Sequence, residues 1–420
     1  MAAAPIVTTG PKVRLSSAQW NLILLMVAVS AVSYFDRTIL SIASPGIIKE
    51  FGISETEMGT IFSAYLMTYT ILMAPAGAVV DRFGPRLVLG VAGLGAGLFT
   101  ALTALCGSPL FAAVIGVVPS FLLVRFAFGI STAPIYTACG RLTATWVPGT
   151  YRARVQGLVM AASALGSATS PVLFIWMIAR YGWRRSFVIA GACTMALYVL
   201  WCWYVRDRPS GAAAVEDAPR ANLRQWSALL RNRNLALLTV SYVCLNYFEY
   251  IFFYWIYYYF GEIRHMGATE SAVYVTILMS SMVVMTPVGG WISDRLVARY
   301  GRRMGRRIVP VAACCLSALL LAAGASGLST FLTVTLLSLA FGCAASAEGP
   351  FWASAIDAGR DAVGVSCGIM NTGGNFGGML APIVTPIIAR HFGWTWGLYV
   401  ASAVVLSGVA AWFFIDMERE

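Results

Sequence analysis

Apolar runs of about 20 residues recur along the whole of this 420-residue chain. Each is long enough to cross a hydrocarbon core of ~30 Å as a helix. The runs predict twelve helices, near 18–44, 56–80, 86–106, 111–136, 154–179, 184–206, 235–260, 268–292, 308–327, 329–352, 363–389 and 394–416. Composition agrees: 59% hydrophobic residues against 11% charged, with a mean hydropathy of +0.75, excludes an ordinary soluble domain. The expected class is an all-α integral membrane protein.

A net charge of +11 invites a nucleic-acid reading, but its distribution argues against one. With the N-terminus in the cytoplasm, about 21 of the 29 Lys and Arg fall in cytoplasmic segments and about six outside. The other two, Arg37 and Arg125, lie within helices. That asymmetry is the positive-inside pattern, so the expected partner is the bilayer and both termini are expected to be cytoplasmic. The main deposits are Arg295 to Arg307 and the 206–233 segment, while Arg180, Arg184 and Arg185 fall on the wrong side. Residues 1–17 are small and polar, and the run after them ends in charge rather than at a small-residue cleavage site, so no signal peptide is expected. Nine cysteines are scattered without CxxC pairs or histidine ligand spacing, which points to buried thiols and to neither a metal nor a cofactor.

The chain repeats itself. Gly157, Gly166, Pro171 and Gly182-Trp183 recur 211 residues later as Gly368, Gly377, Pro382 and Gly393-Trp394. Gly77, Asp81 and Arg82 recur 213 residues later as Gly290, Asp294 and Arg295. The implied organisation is a tail (1–17), a six-helix bundle (18–206), a polar linker (207–234), a second bundle (235–416) and a short tail (417–420). Within the linker, 222–231 has the pattern of a short amphipathic interfacial helix. Parallel repeats of this kind place a substrate between the halves near the midplane and rock the halves around it.

The segment Gly77-xxx-Asp81-Arg82-Phe83-Gly84-Pro85-Arg86 resembles the cytoplasmic loop motif of the major facilitator superfamily, and a weaker copy sits at Gly290 to Arg295. Tyr34-Phe-Asp-Arg-Thr, Trp146-Val-Pro, Gly349-Pro-Phe-Trp352 and Asn371-Thr-Gly-Gly-Asn-Phe-Gly-Gly378 resemble the anion:cation symporter family, which includes bacterial sugar-acid transporters. The resemblance implies a secondary active transporter of a small organic anion, driven by proton co-entry (or sodium), in a bacterial inner or plasma membrane. A monomer houses such a pathway. Export or exchange of an amphipathic anion, and a sensor that binds without transporting, are the other readings. No enzyme is expected: neither a Ser/His pair nor HExxH can be assembled, and His265 and His391 fall in outer loops.

Ionisable residues inside a membrane are costly and functional by default. Asp36 and Arg37 lie most of the way along the first helix, where burial disfavours a charged carboxylate and a nearby guanidinium favours it. Asp36 is therefore the expected proton site. Arg125, among Phe121, Leu122, Phe126 and Phe128, stays charged and needs an anionic partner, either Asp36 in a permanent bridge or a substrate carboxylate. Relatives resembling the sugar-acid transporters often carry a glutamate seven residues beyond this arginine; here Thr132 stands in its place. Glu249 in helix seven and Glu348 near the end of helix ten are candidates to compensate. Tyr247, Tyr250, Tyr254 and Tyr257 fall at helical spacing, with Tyr250 and Tyr254 as candidate substrate contacts. Tyr69 matches a position that the resemblance implies faces the substrate. Asn371 and Asn375, one turn apart among glycines, and Ser163 in helix five complete the expected binding set. Asp81, Arg82, Arg86, Asp294 and Arg295 read as gating contacts at helix ends, and Asp357, Arg360 and Asp361 as a solvated loop.

Overall fold

The computed structural model describes residues 15–147, 149–207, 223–327, 329–359 and 363–415. Every regular element among them is helical, the arrangement by which a segment in lipid satisfies its backbone on its own. The elements are α1 (Ser17–Phe51), α2 (Glu55–Phe83), α3 (Pro85–Leu102), α4 (Pro109–Ile115), α5 (Val117–Thr132), α6 (Ile135–Trp146), α7 (Gly149–Tyr204) and α8 (Leu223–Leu230). They continue as α9 (Arg233–Tyr254), α10 (Ile256–Tyr258), α11 (Ala268–Ala325), α12 (Thr330–Ser346), α13 (Glu348–Gly359), α14 (Val363–Phe392) and α15 (Trp394–Trp412).

These helices supply the twelve expected crossings, with several boundaries redrawn. Both α7 and α11 are long enough to cross twice, and each is bent by one glycine, Gly182 (φ 76°) and Gly301 (φ 80°). Side chains rarely adopt that backbone, so glycine is what allows the chain to turn there within a single residue. Gly182 and Gly393 (φ 90°) have nearly the same conformation and each precedes a helix-starting tryptophan, so the 211-residue repeat is structural as well as textual. The fourth expected helix is instead broken: Gly116 (φ 85°) separates α4 from α5, and the helical path runs on past Pro134 through α6. Helix seven is also interrupted, at Trp255 and by a π-turn at Tyr259–Ile263. The arginine-rich 295–307 segment, expected as a loop, is helical on both sides of Gly301.

The charged residues near the helix ends have defined partners, and one of them corrects an expectation. Arg184, on the wrong side by charge counting, pairs with Glu50 at 2.8 Å, stacks 4.2 Å from the Trp183 ring and donates to the Ala104 carbonyl at 3.2 Å. Asp357 is half-buried in α13 and accepts from Arg306 at 3.4 Å, so it is not a solvated loop residue; Arg360 and Asp361 lie outside the described residues. Asp294 pairs with Arg306 at 2.8 Å, while Arg295 stacks 3.7 Å from Trp291. Arg86 binds the Cys202 carbonyl and its backbone N–H donates to Asp207 at 2.7 Å, tying α3 to the end of α7. Arg82 lies over Phe83, and the Asp81 side chain is outside the described set.

The two halves meet along α2 and α14, antiparallel. At one end a Cβ on Gly59 would come 1.9 Å from the Pro382 carbonyl oxygen, so the two backbones touch. One turn on, the Ser63 hydroxyl donates to the Met379 carbonyl at 2.7 Å. Phe62 stacks on Tyr254 at 4.9 Å, and the Tyr258 hydroxyl donates to Glu55. Further along, the amides of Asn371 and Asn375 reach the Met73 sulfur at 3.7 and 3.8 Å. Beyond that point the contact ends: a Cβ on Gly77 or on Gly368 would meet nothing within 4 Å. The same holds for Gly157 and Gly290, the repeat partners of those two residues. The α2–α14 contact is therefore closed at the Glu55 end and open at Gly77 and Gly368.

Candidate functional site

Adjacent residues on a helix point 100° apart, and that angle separates Asp36 from Arg37. The two side chains form no ion pair with each other. Arg37 turns towards α2, where its guanidinium lies 4.3 Å from the Tyr34 ring, 4.8 Å from Tyr69 and 5.0 Å from Tyr65. Asp36 turns towards α3 and the second limb of α7 and accepts from the Thr194 hydroxyl at 2.7 Å. Its other oxygen, Oδ1, is buried, with the Thr100 hydroxyl of α3 as its polar neighbour.

Arg125, on α5, is 3% exposed and packs 5.2 Å from the Phe128 ring. No carboxylate is bonded to it among the described residues, so the permanent bridge to Asp36 is also absent. Asp36 instead accepts from Thr194, and it interacts with Arg125 electrostatically without a hydrogen bond. Arg37 and Arg125 each bury an Nε and an Nη2 that make no hydrogen bond. Buried donors of this kind are strongly disfavoured unless a partner arrives.

A run of rings connects the two cations. Tyr65, under Arg37, packs 5.3 Å from Phe128, which is under Arg125. Tyr65 also stacks on Tyr69 at 5.6 Å. From the second half, Tyr254 lies within electrostatic reach of both guanidiniums. The hydroxyls of Tyr65 and Tyr254 are buried and unpartnered, as are the four arginine nitrogens. The result is a buried locus rich in donors, contributed by α1, α2 and α5 from one half and α9 from the other.

The remaining candidates divide around that locus. The Tyr250 hydroxyl donates to Asn375 at 3.1 Å, and Asn375 donates to the Asn371 carbonyl at 2.9 Å, so these three form one network beside Met73. Tyr247 and Tyr257 are also buried, and the Tyr257 hydroxyl donates to the Ala268 carbonyl at 3.4 Å. The Thr132 hydroxyl donates back to the Phe128 carbonyl at 2.9 Å, and that of Ser163 to the Met160 carbonyl at 2.7 Å. Glu348 opens α13 at the break after α12 and accepts from Tyr242 at 2.9 Å and Trp352 at 3.1 Å. Glu249 is 4% exposed, has an unpartnered Oε1 and feels the Glu348 carboxylate. These two acids form a second polar locus within the later half.

Sequence reasoning missed Tyr65 and Thr194. Tyr65 had a signal, since it stands one helical turn before Tyr69 on the same face. Thr194 had none: it is one hydroxyl in an apolar run, and only the packing of α7 on α1 brings it to Asp36.

The sequence profile of the Major Facilitator Superfamily matches residues 26–372. A probable sulfoacetate transporter of Cupriavidus necator is 27% identical over 401 residues, covering 92% of this chain and 91% of that one. A probable galactarate/D-glucarate transporter of Bacillus subtilis is 28% identical, covering 91% and 87%. A probable L-galactonate transporter of Escherichia coli is 26% identical, covering 96% and 90%. Among solved structures, a bacterial homolog of the human lysosomal transporter Spinster superposes with a TM-score of 0.82 at 13% identity, covering 97% and 98%, which establishes the shared fold.

Proposed function

The chain belongs to the Major Facilitator Superfamily, and from that premise we propose that it carries a small organic anion across a membrane by alternating access, coupled to proton entry. Membership makes it a multi-pass transporter rather than an enzyme. The observation that carries the anion reading is the pair of buried guanidiniums, Arg37 and Arg125, each with two donors unpartnered among the described residues. A guanidinium keeps its charge in any state of the protein, so the ligand has to be the acceptor. The relatives' names, sulfoacetate, galactarate or glucarate and galactonate, describe small acids of this chemistry.

Arg37 and Arg125 bind the anion, Tyr69 and Tyr254 line it, and the Tyr250–Asn375–Asn371 network holds its polar groups. Thr132 and Ser163 border the same region through their backbones. Asp36 accepts the coupling proton, and Glu249 with Glu348 forms a further place for a proton in the second half. Asp81, Arg82, Arg86, Asp294 and Arg295 stabilise the helix ends that move against each other. The arginine-rich end faces the cytoplasm with both termini, in an inner or plasma membrane, and one copy holds the whole pathway within bundles of 18–206 and 235–416.

The test is uptake into liposomes under an imposed pH gradient. Wild type is expected to accumulate an organic acid, and Asp36→Asn to lose accumulation while keeping counterflow exchange. Undiminished accumulation by Asp36→Asn removes Asp36 from the coupling role. If no member of an anion panel moves, the organic-anion reading is wrong.

A further inference from the structure

The charges around the arginines do not balance, and the imbalance has a direction. Arg125 and Thr132 are seven residues apart on α5, so they share a helix face. A carboxylate at 132 would stand two turns from Arg125 on that face; the hydroxyl found there is turned back onto the Phe128 carbonyl. The nearest acid, Asp36, is held by Thr194. Glu348 is held by Tyr242 and Trp352, and Glu249 lies beside Glu348 rather than beside an arginine. Two full positive charges therefore lie at the two ends of one run of rings, Arg37–Tyr65–Phe128–Arg125, with no carboxylate bonded to either among the described residues.

The polar atoms left over point the same way. Four guanidinium nitrogens and the hydroxyls of Tyr65 and Tyr254 are buried and unpartnered. All four nitrogens are donors only, and each hydroxyl can donate. A monoanion held by Arg37 would leave Arg125 without a partner in a medium of low dielectric, which is the arrangement that costs most.

We propose that the ligand of this site is a dianion: a small molecule with an anionic group at each end, such as two carboxylates or a carboxylate and a sulfonate, one held by Arg37 and the other by Arg125. The inference rests on the organic-anion reading above and narrows it. Asp36 fits the same scheme. With its carboxylate protonated the locus carries two uncompensated positive charges, which a dianion neutralises, so proton and dianion favour one another's binding.

The experiment compares matched pairs of acids on the purified, lipid-reconstituted protein. Each pair has the same carbon chain, once with two acidic ends and once with one end converted to a neutral amide. Affinities are read by competition against whichever labelled acid is transported. A hydrogen-bonded charge that loses its partner is expected to make the dianion ~10- to 100-fold the tighter ligand. Thr132→Glu supplies Arg125 with an internal carboxylate and is expected to shrink that ratio at least ~10-fold, towards the monoanion. Monoanions that bind wild type as well as their dianion partners overturn the proposal while leaving the transport reading intact. A ratio that Thr132→Glu does not move also overturns it, because the missing acid would then be irrelevant. If neither class binds, the proposal falls together with the reading beneath it.

Discussion

Gly59→Ala tests whether the α2–α14 contact sets which side of the molecule is open. An ideal Cβ at residue 59 lies 1.9 Å from the Pro382 carbonyl oxygen, 2.8 Å from its carbonyl carbon and 3.4 Å from Ile383 Cα. All three are backbone atoms, so no side chain can rotate away. The helices have to separate by about an ångström, and overpacking of that kind costs ~1–3 kcal/mol. The cost applies only to the arrangement in which the Glu55 end is closed, because in the opposite arrangement the two backbones part. At 1.4 kcal/mol per factor of ten, the equilibrium is expected to shift roughly 5- to 150-fold towards opening at that end. Distance distributions between probes at the exposed positions Thr60 and His391 read the shift directly. The controls are Gly77→Ala and Gly368→Ala, whose added methyls meet nothing within 4 Å and are expected to leave the distribution unchanged. A Gly59→Ala distribution matching wild type would refute the claim that this contact holds the closed end together.

Arg37→Lys keeps the charge but loses the planar fork that lies over three tyrosine rings, so anion affinity is expected to fall ~5- to 100-fold in equilibrium binding, with the fold intact by circular dichroism. Glu249→Gln preserves shape while removing a buried ionisable group beside Glu348; counterflow is expected to persist while fewer protons enter per substrate, measured as proton-to-substrate flux ratio. Arg184→Ala removes the half-exposed pair with Glu50 and the stack on Trp183; a loss of ~1–2 kcal/mol is expected in thermal unfolding, with no change in substrate preference.

The helical class, the twelve crossings and the duplication were all legible in the residues, because hydrophobic length and glycine spacing are one-dimensional properties. Gly182 and Gly393 show how far such signals reach: a glycine at a fixed offset before a tryptophan encoded a matching backbone turn in both halves. The breaks at Gly116 and Trp255 were not legible, since isolated glycines and tryptophans occur inside many intact helices, and tertiary packing decides which ones break.

Within the site, the sequence named the charged residues but not their partners. Asp36 and Arg37 are neighbours in the chain, yet the helical rotation between them sends one to Thr194 and the other to a cage of tyrosines. Arg125 stands two turns from Thr132, a relation visible in the text, but that its guanidinium lacks a bonded acid among the described residues depends on how α1, which carries Asp36, packs against α7. Membrane burial makes an ionisable residue conspicuous in a sequence because few others share its surroundings. What it binds is a matter of direction and distance between helices, and only their packing supplies those.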